Sequence, residues 1–176
     1  MIKWISIIIL SVLSMTISVE AQEKSLVKTE VTTSIFQSDS LIGLAKSLLG
    51  VPYCYGGITP AGFDCSGFVN YVFSSFGFSI PRSSADMADY GIEIPLDSCR
   101  KGDIILFAGS NALKRPVGHA GIVISNMDEP LKFIHSATSN KRGIIITAFD
   151  AFDYYKTRFV KVIRVFNPLN DGSDEP

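Results

Sequence analysis

The sequence predicts an α+β domain in which helices come first and an antiparallel β-sheet follows. Two observations carry this. Apolar residues recur at helical spacing up to about residue 90, and from residue 103 they gather into short β-branched and aromatic runs. Turn residues part those runs, as hairpin connections require. A chain of 176 residues suits one such domain.

The elements follow in order. Lys3 and the amino terminus precede the thirteen-residue apolar stretch Ile5–Ile17, and small residues stand at Val19 and Ala21. That layout reads as a secretory signal peptide over 1–21, cleaved after Ala21. An uncleaved anchor is the alternative, but the stretch is short against the ~20 residues a spanning helix needs. No cysteine follows the cleavage position, which argues against a lipid-anchored terminus. Residues 22–38, "QEKSLVKTEVTTSIFQS", are polar without a sustained period and read as a linker or N-terminal arm.

The domain itself is expected over 39–166. Leu41, Leu44, Ala45 and Leu48 are spaced for a first helix, with Asp39 or Ser40 as cap and Gly50 as stop. "VPYCYGGITPAG" is loop. A second helix runs from Cys65 to Phe76, with Phe68, Val69, Val72, Phe73 and Phe76 on one face, Asp64 as N-cap and Gly77 as stop. A short third helix over "SSADMADYG" closes at Gly91. Strands are expected at 103–107, 119–125, 131–137, 143–147 and 158–166. The polar tail over 167–176 is expected to be disordered.

Sixteen basic and 17 acidic residues leave a net charge of −1, and losing Lys3 and Glu20 with the leader does not change it. Nothing there grips nucleic acid. With no second apolar span, the mature protein is expected to be a monomer without an integral membrane segment, secreted or periplasmic. Three cysteines cannot all pair, so at least one thiol is left over. Cys54 and Cys99 read as inert core, with a disulfide between them as the alternative. Two histidines and three scattered cysteines lack the spacing of a zinc site, so no metal or cofactor is expected.

The left-over thiol is Cys65, placed at the start of a helix rather than inside one. His119 and His135 are the only histidines, and both fall on predicted strands flanking the turn cluster "SNMDEP". If they face each other, their index sum of 254 centres the turn on Met127. Both imidazoles then lie on one sheet face. Pro130 cannot donate to a ladder, and a shift by one residue would break the pairing. A thiol in an apolar helix is ordinarily core, and a strand histidine is ordinarily structural. The coincidence of all three favours chemistry instead. A thiol of pKa about 8.5 falls to roughly 3.5–7.5 at a helix N-terminus beside an imidazolium. His119 would serve as general base, His135 would fix its tautomer, and the Cys65 backbone N–H would stabilise an oxyanion. That is acyl transfer by a thiolate.

"PYCYGGITPAGFDCSGFV", "IPRSS", "KGDIILF", "GHAGIVI" and "FIHSA" together resemble the NlpC family of papain-like cell-wall cysteine peptidases, over about residues 41–166. The resemblance implies a papain-like fold, with Cys65 as nucleophile, His119 as base and His135 as the orienting third residue. It also implies that Tyr53 lines the site and that Asp64 and Ser66 help to hold the substrate. Arg82 and Ser83 of "IPRSS" join them as polar groups expected to pair with features peculiar to peptidoglycan stem peptides. The implied reaction is hydrolysis of stem-peptide amide bonds, often between D-γ-glutamyl and a diamino acid. The sequence departs from the family pattern at Met87, where a glutamine is common. An amidase or acyltransferase of the same superfamily is a rival, but related acyltransferases place histidine before cysteine. The order here is Cys65, His119, His135. A secreted binding module without turnover would fit better had one of the three been lost.

Overall fold

The computed structural model describes residues 22–26, 28, 38–109, 117–138 and 143–165. The expected leader over 1–21 and tail over 167–176 lie outside the described residues. Contacts divide the chain into two units, and Gln37–Asn167 is the one that carries the sheet. Of the other, residues 22–26 and 28 are helical where no sustained period was legible. Gln22, Glu23, Lys24 and Leu26 are intrinsically good helix formers, which favours a turn of helix without any buried face.

Helix α1 (38–47) buries Leu41, Ile42 and Ala45, and Leu48 follows them into the core. Gly50 then turns the chain at φ +84° and donates to the Ile144 carbonyl at 3.0 Å. Strands β1 (Ile58–Thr59) and β2 (Gly62–Phe63) form a small hairpin. The preceding loop is stitched to it: Phe63 N–H donates to Pro52 O (3.1 Å) and Cys54 N–H to Phe63 O (3.0 Å).

Helix α2 (Cys65–Ser74) inserts Phe68, Val69, Val72 and Phe73 completely into the core. Burial of each such phenylalanine is worth about 1.5–3 kcal/mol. The helix ends two residues before the expected Phe76, which is half-buried, and Gly77 turns the chain at φ +84°. Helix α3 (Ser84–Met87) is a single turn, shorter than expected, with Met87 fully buried. Asn70 Nδ2 donates to Ile80 O at 2.7 Å and so fixes the "IPRSS" segment to α2.

The main sheet has six strands in the order β3 (Ile92–Ile94), β8 (Phe159–Arg164), β4 (Ile104–Ala108), β5 (Val117–Val123), β6 (Lys132–Ala137), β7 (Gly143–Ala148), with every neighbouring pair antiparallel. Besides the β1–β2 hairpin, which lies where a loop was expected, two α or β elements were not expected. One is β3, and the other is α4 (Asp153–Arg158), where an acid at the start and Lys156 and Arg158 at the end suit the helix dipole. Strand alternation splits the sheet into two faces. Leu106, Ile122, Ile134 and Ile144 pack with α1 and α2, whereas Ile105, Phe107, Val123 and Phe133 pack with Phe149 and Cys99.

The β5–β6 register corrects the expected turn. Ile122 pairs with Ile134 and Val123 with Phe133, so the index sum is 256 and the turn centres on Asp128 rather than Met127. Pro130 stays in the loop, where Glu129 N–H bonds Asn126 O at 3.1 Å, and Lys132 N–H is taken by Ser125 Oγ at 3.0 Å. The slip is by two residues, so the side chains keep their face. The cysteines need a second correction. All three are free thiols, and only Cys99 is core, because Cys54 is exposed on the loop before β1.

Asp103, 1% exposed, holds the start of β4 to β8. Its carboxylate accepts from Arg164 Nε at 2.7 Å, Arg164 Nη2 at 2.8 Å and Arg100 N–H at 2.8 Å. Removing one partner of such a pair leaves the other charge desolvated and unmatched, typically at a cost of about 3–5 kcal/mol. Asp103→Ala is therefore expected to lower the urea-unfolding free energy by about that much. A loss below about 1 kcal/mol would show that Arg164 is solvated in the folded state.

Candidate active site

Cys65 opens α2. Asp64 caps it with Oδ1, which accepts the Gly67 N–H at 2.6 Å, while the Asp64 N–H donates to Gly57 O at 3.0 Å. A Cβ on Gly67 would run into that Gly57 carbonyl, so the glycine in "DCSG" is what lets the loop lie on the helix start. The same helix start is tied to the sheet from behind: buried Ser136, next to His135, donates Oγ to Phe63 O at 2.7 Å. Tyr53 bridges Phe63 from the other side.

The backbone N–H groups of Ala120, Ser66 and Cys65 itself favour a thiolate. Burial outweighs them, with the Asp64 charge adding to it, and the thiol pKa rises. This corrects the lowered thiol expected from a helix N-terminus, because desolvation disfavours the charged form more than the first-turn amides favour it. Ala120 is the residue after His119, and the helix that Cys65 opens packs against that strand. Among the described residues no hydrogen bond joins the Cys65 sulfur to the His119 ring in the resting site.

His119 on β5 and His135 on β6 meet with Nε2···Nδ1 at 2.9 Å and rings nearly perpendicular at 89°. The expected pairing of the two imidazoles on one face is present, as diagonal rather than facing neighbours. His135 is fully buried, and its Nε2 faces Thr147 Oγ1 at 3.0 Å and the Tyr155 hydroxyl at 3.4 Å. Phe107, Phe133 and Tyr155 wall the pair, with ring centroids 4.9 to 6.0 Å from an imidazole. Burial pushes His119 down to about 4, and Arg158 disfavours its imidazolium further. Arg158 is held nearby by the Gly109 carbonyl at 2.6 Å. Burial and then the His119 charge push His135 well below its ordinary value.

The polar residues divide into two groups. Arg82 forks onto Asp64, with Nη2···Oδ2 at 2.7 Å and Nη1···Oδ1 at 3.1 Å, and Nη1 also bonds Ser66 Oγ at 2.9 Å. Asp64, Ser66 and Arg82 thus form one cluster at the start of α2, and Arg82 is a paired cation rather than a solvated one. Ser83 serves α3 instead: its hydroxyl accepts Asp86 N–H at 3.1 Å and donates to Asp86 Oδ2 at 2.7 Å. Tyr53 is half-buried, and its hydroxyl is held above the ordinary value by burial and then by the charges of Cys65 and Asp64. Met87 packs in the core and offers the substrate side nothing polar.

Sequence reasoning missed Ser136, Thr147 and Tyr155. Ser136 follows His135 directly, but no local signal marks a hydroxyl that reaches a carbonyl 73 residues away. Among the described residues no group of three or more His, Cys, Asp or Glu is placed to hold a metal ion, and no helix is long and apolar enough to cross a membrane. A cavity of about 530 Å³ lined by Pro95, Leu96, Cys99, Met127, Leu131 and Phe149, among others, shares no residue with this site.

Helices ahead of an antiparallel sheet, with a thiol at a helix start against a strand that carries a histidine pair, define an α+β domain of the papain-like class. The NlpC/P60 family profile matches residues 50–164, and the chain belongs to that family. It is 34% identical over 130 residues to the γ-D-glutamyl-L-lysine dipeptidyl-peptidase of Bacillus subtilis (strain 168), covering 74% of this chain and 42% of that protein. It is 38% identical over 120 residues to the murein DD-endopeptidase MepS/murein LD-carboxypeptidase of Escherichia coli (strain K12), covering 67% and 57% respectively. Among solved structures, an NlpC/P60 family protein from Bacillus cereus ATCC 10987 superposes with a TM-score of 0.65 at 32% identity, over 72% of this chain and 39% of that one. The chain spans roughly half the length of the curated relatives it matches.

The depressed imidazoles link stability to pH. An unfolded histidine binds its proton near 6.5 and folded His119 only near 4, so the unfolded chain holds more protons between those values. Stability is therefore expected to fall as pH drops from about 6.5 toward 4, and to be flat with respect to these groups above about 7. Urea midpoints of wild type and His119→Gln, measured at about pH 7.5 and pH 5, check this. The wild type should lose more stability on acidification than the variant; equal losses would mean that His119 titrates freely.

Proposed function

We propose that the protein is a thiol hydrolase that cleaves amide bonds in peptidoglycan stem peptides, at linkages between D-γ-glutamyl and a diamino acid, through Cys65, His119 and His135. One observation carries this reading: the 2.9 Å hydrogen bond that joins His119 on β5 to His135 on β6, with the helix that Cys65 opens packed against β5. Two similar proteins are named for a γ-D-glutamyl-L-lysine bond and for murein, which supports the substrate class. The leader-like stretch over 1–21 supports export to the compartment where such peptides lie.

The site rests as a thiol and a neutral imidazole, so the nucleophile is generated during attack. His119 uses Nδ1, the nitrogen not bonded to His135, to take the thiol proton as sulfur bonds the carbonyl carbon. The carbonyl oxygen becomes an oxyanion held by the Cys65 N–H, an orphan donor of the helix start, with Tyr53 beside it. Collapse breaks the C–N bond, His119 returns the proton to the leaving amine, and a thioester remains. His119 then deprotonates a water that attacks the thioester, releasing the acid and restoring the thiol. A free amine on the substrate meets Asp64, and a carboxylate meets Arg82, whose side chain is 44% exposed and has N–H groups beyond those held by Asp64. Ser66 steadies both.

Cys65→Ala is expected to abolish hydrolysis of a γ-D-glutamyl–diamino acid peptide while circular dichroism and unfolding stay near wild type. His119→Ala should be nearly as severe and His135→Ala milder, since the base then loses only its orienter. Tyr53→Phe should lower kcat by about 10–10³-fold, the scale for one oxyanion donor. Substantial turnover by the purified Cys65→Ala protein would remove Cys65 as the nucleophile, and greater loss at His135 than at His119 would reverse their roles.

Selectivity gives an independent test. A groove built to pair with stem-peptide groups leaves buried partners unmatched when those groups are missing, a penalty of up to about 10⁴–10⁵ in kcat/KM. The protein is expected to cleave a D-γ-glutamyl–diaminopimelyl peptide and to leave casein and the α-linked L-glutamyl counterpart intact. Mass spectrometry of the digests reads the outcome. Comparable rates on the two linkages would make it a general peptidase.

A further inference from the structure

Two hydroxyls, on Thr147 and Tyr155, converge on the one nitrogen of His135 that the catalytic reading leaves without a role. His135 is fully buried, and its Nδ1 is occupied by His119 at 2.9 Å. Its Nε2 faces Thr147 Oγ1 at 3.0 Å and Tyr155 OH at 3.4 Å. The arrangement follows from the sheet. Strands β6 and β7 pair His135 with Ile145 and Phe133 with Thr147, which makes Thr147 the diagonal neighbour of His135 on the same face. The β5–β6 register places His119 diagonally on the opposite side. Three adjacent strands therefore carry His119, His135 and Thr147 in one row.

The row has a direction. For His119 to accept the thiol proton at Nδ1, its own hydrogen must sit on Nε2 and point at His135 Nδ1. His135 must then be the tautomer protonated at Nε2, and that hydrogen needs an acceptor. In the other tautomer, His135 donates from Nδ1, His119 is left protonated at Nδ1, and no lone pair faces the thiol. A buried N–H without an acceptor is strongly disfavoured, so the Nε2-protonated tautomer requires an acceptor beyond Nε2.

We propose that Thr147 is a positioning residue that holds His135 in the Nε2-protonated tautomer, with the Tyr155 hydroxyl as secondary support. The proposal rests on the thiol-hydrolase reading for its catalytic consequence but not for its structural one. The threonine hydroxyl is the nearer of the two. The tyrosine reaches the same nitrogen from α4, outside the sheet, while its ring stands against Phe107 and Phe133 at 5.3 and 5.0 Å.

The test combines nuclear magnetic resonance with kinetics. In full-length protein carrying Cys65→Ala and ¹⁵N-labelled histidine, His135 is expected to show a protonated Nε2 and an unprotonated Nδ1 at neutral pH. Adding Thr147→Val, which keeps shape and removes the acceptor, should move population toward the Nδ1-protonated form. In the active protein Thr147→Val should lower kcat by about 10–100-fold with KM nearly unchanged. Thr147→Ser should recover most of that loss, and Tyr155→Phe should cost less. A His135 protonated at Nδ1 with Thr147 intact would overturn the proposal, whether or not the valine variant folds. So would a folded Thr147→Val protein with unchanged ring shifts and kcat. If the wild type cleaves no stem peptide, the functional reading falls, and the ring-nitrogen shifts still decide the role of Thr147.

Discussion

Ser136 donates a buried hydrogen bond to the carbonyl of Phe63, two residues before Cys65, and most of the site depends on that tether. It joins β6, beside His135, to the segment that becomes α2. The Gly57 carbonyl fills the space that a side chain on Gly67 would take and accepts the Asp64 N–H. The Ala120 N–H, on β5, favours the thiolate form of Cys65. Cys65 is thus placed by backbone and by one small hydroxyl, not by a long flexible side chain. Such contacts lose little rotamer entropy when they form, and they tolerate little displacement.

That placement also sets the electrostatics. The thiol is raised and both imidazoles are lowered because all three are withdrawn from water, with aromatic rings walling the histidines. A pre-formed ion pair would need each charge to be desolvated at rest. A neutral thiol beside neutral imidazoles avoids this. Arg158 works in the same sense by disfavouring an imidazolium at His119.

The polar cluster on the other side of Cys65 behaves differently. Asp64 is at once helix cap, partner of Arg82 and neighbour of Ser66. One carboxylate couples the start of α2 to the "IPRSS" segment. Ser83, next in sequence, takes no part because its hydroxyl closes α3.

Local chemistry made much of this legible. The Asp64 cap, the spacing of Phe68, Val69, Val72 and Phe73, and the parity of His119 and His135 follow from near neighbours in the chain, so the nucleophile's helix and a shared face for the imidazoles could be read directly. A register slip of two left that parity intact. Other features depended on residues far apart in sequence. The tether from Ser136 to Phe63, the approach of Thr147 and Tyr155 to His135, and the short strand β3 arise only when the sheet is assembled. The directions of the pKa shifts belong with them: the sequence names the titrating groups, but how far each is withdrawn from water is decided by what packs around it.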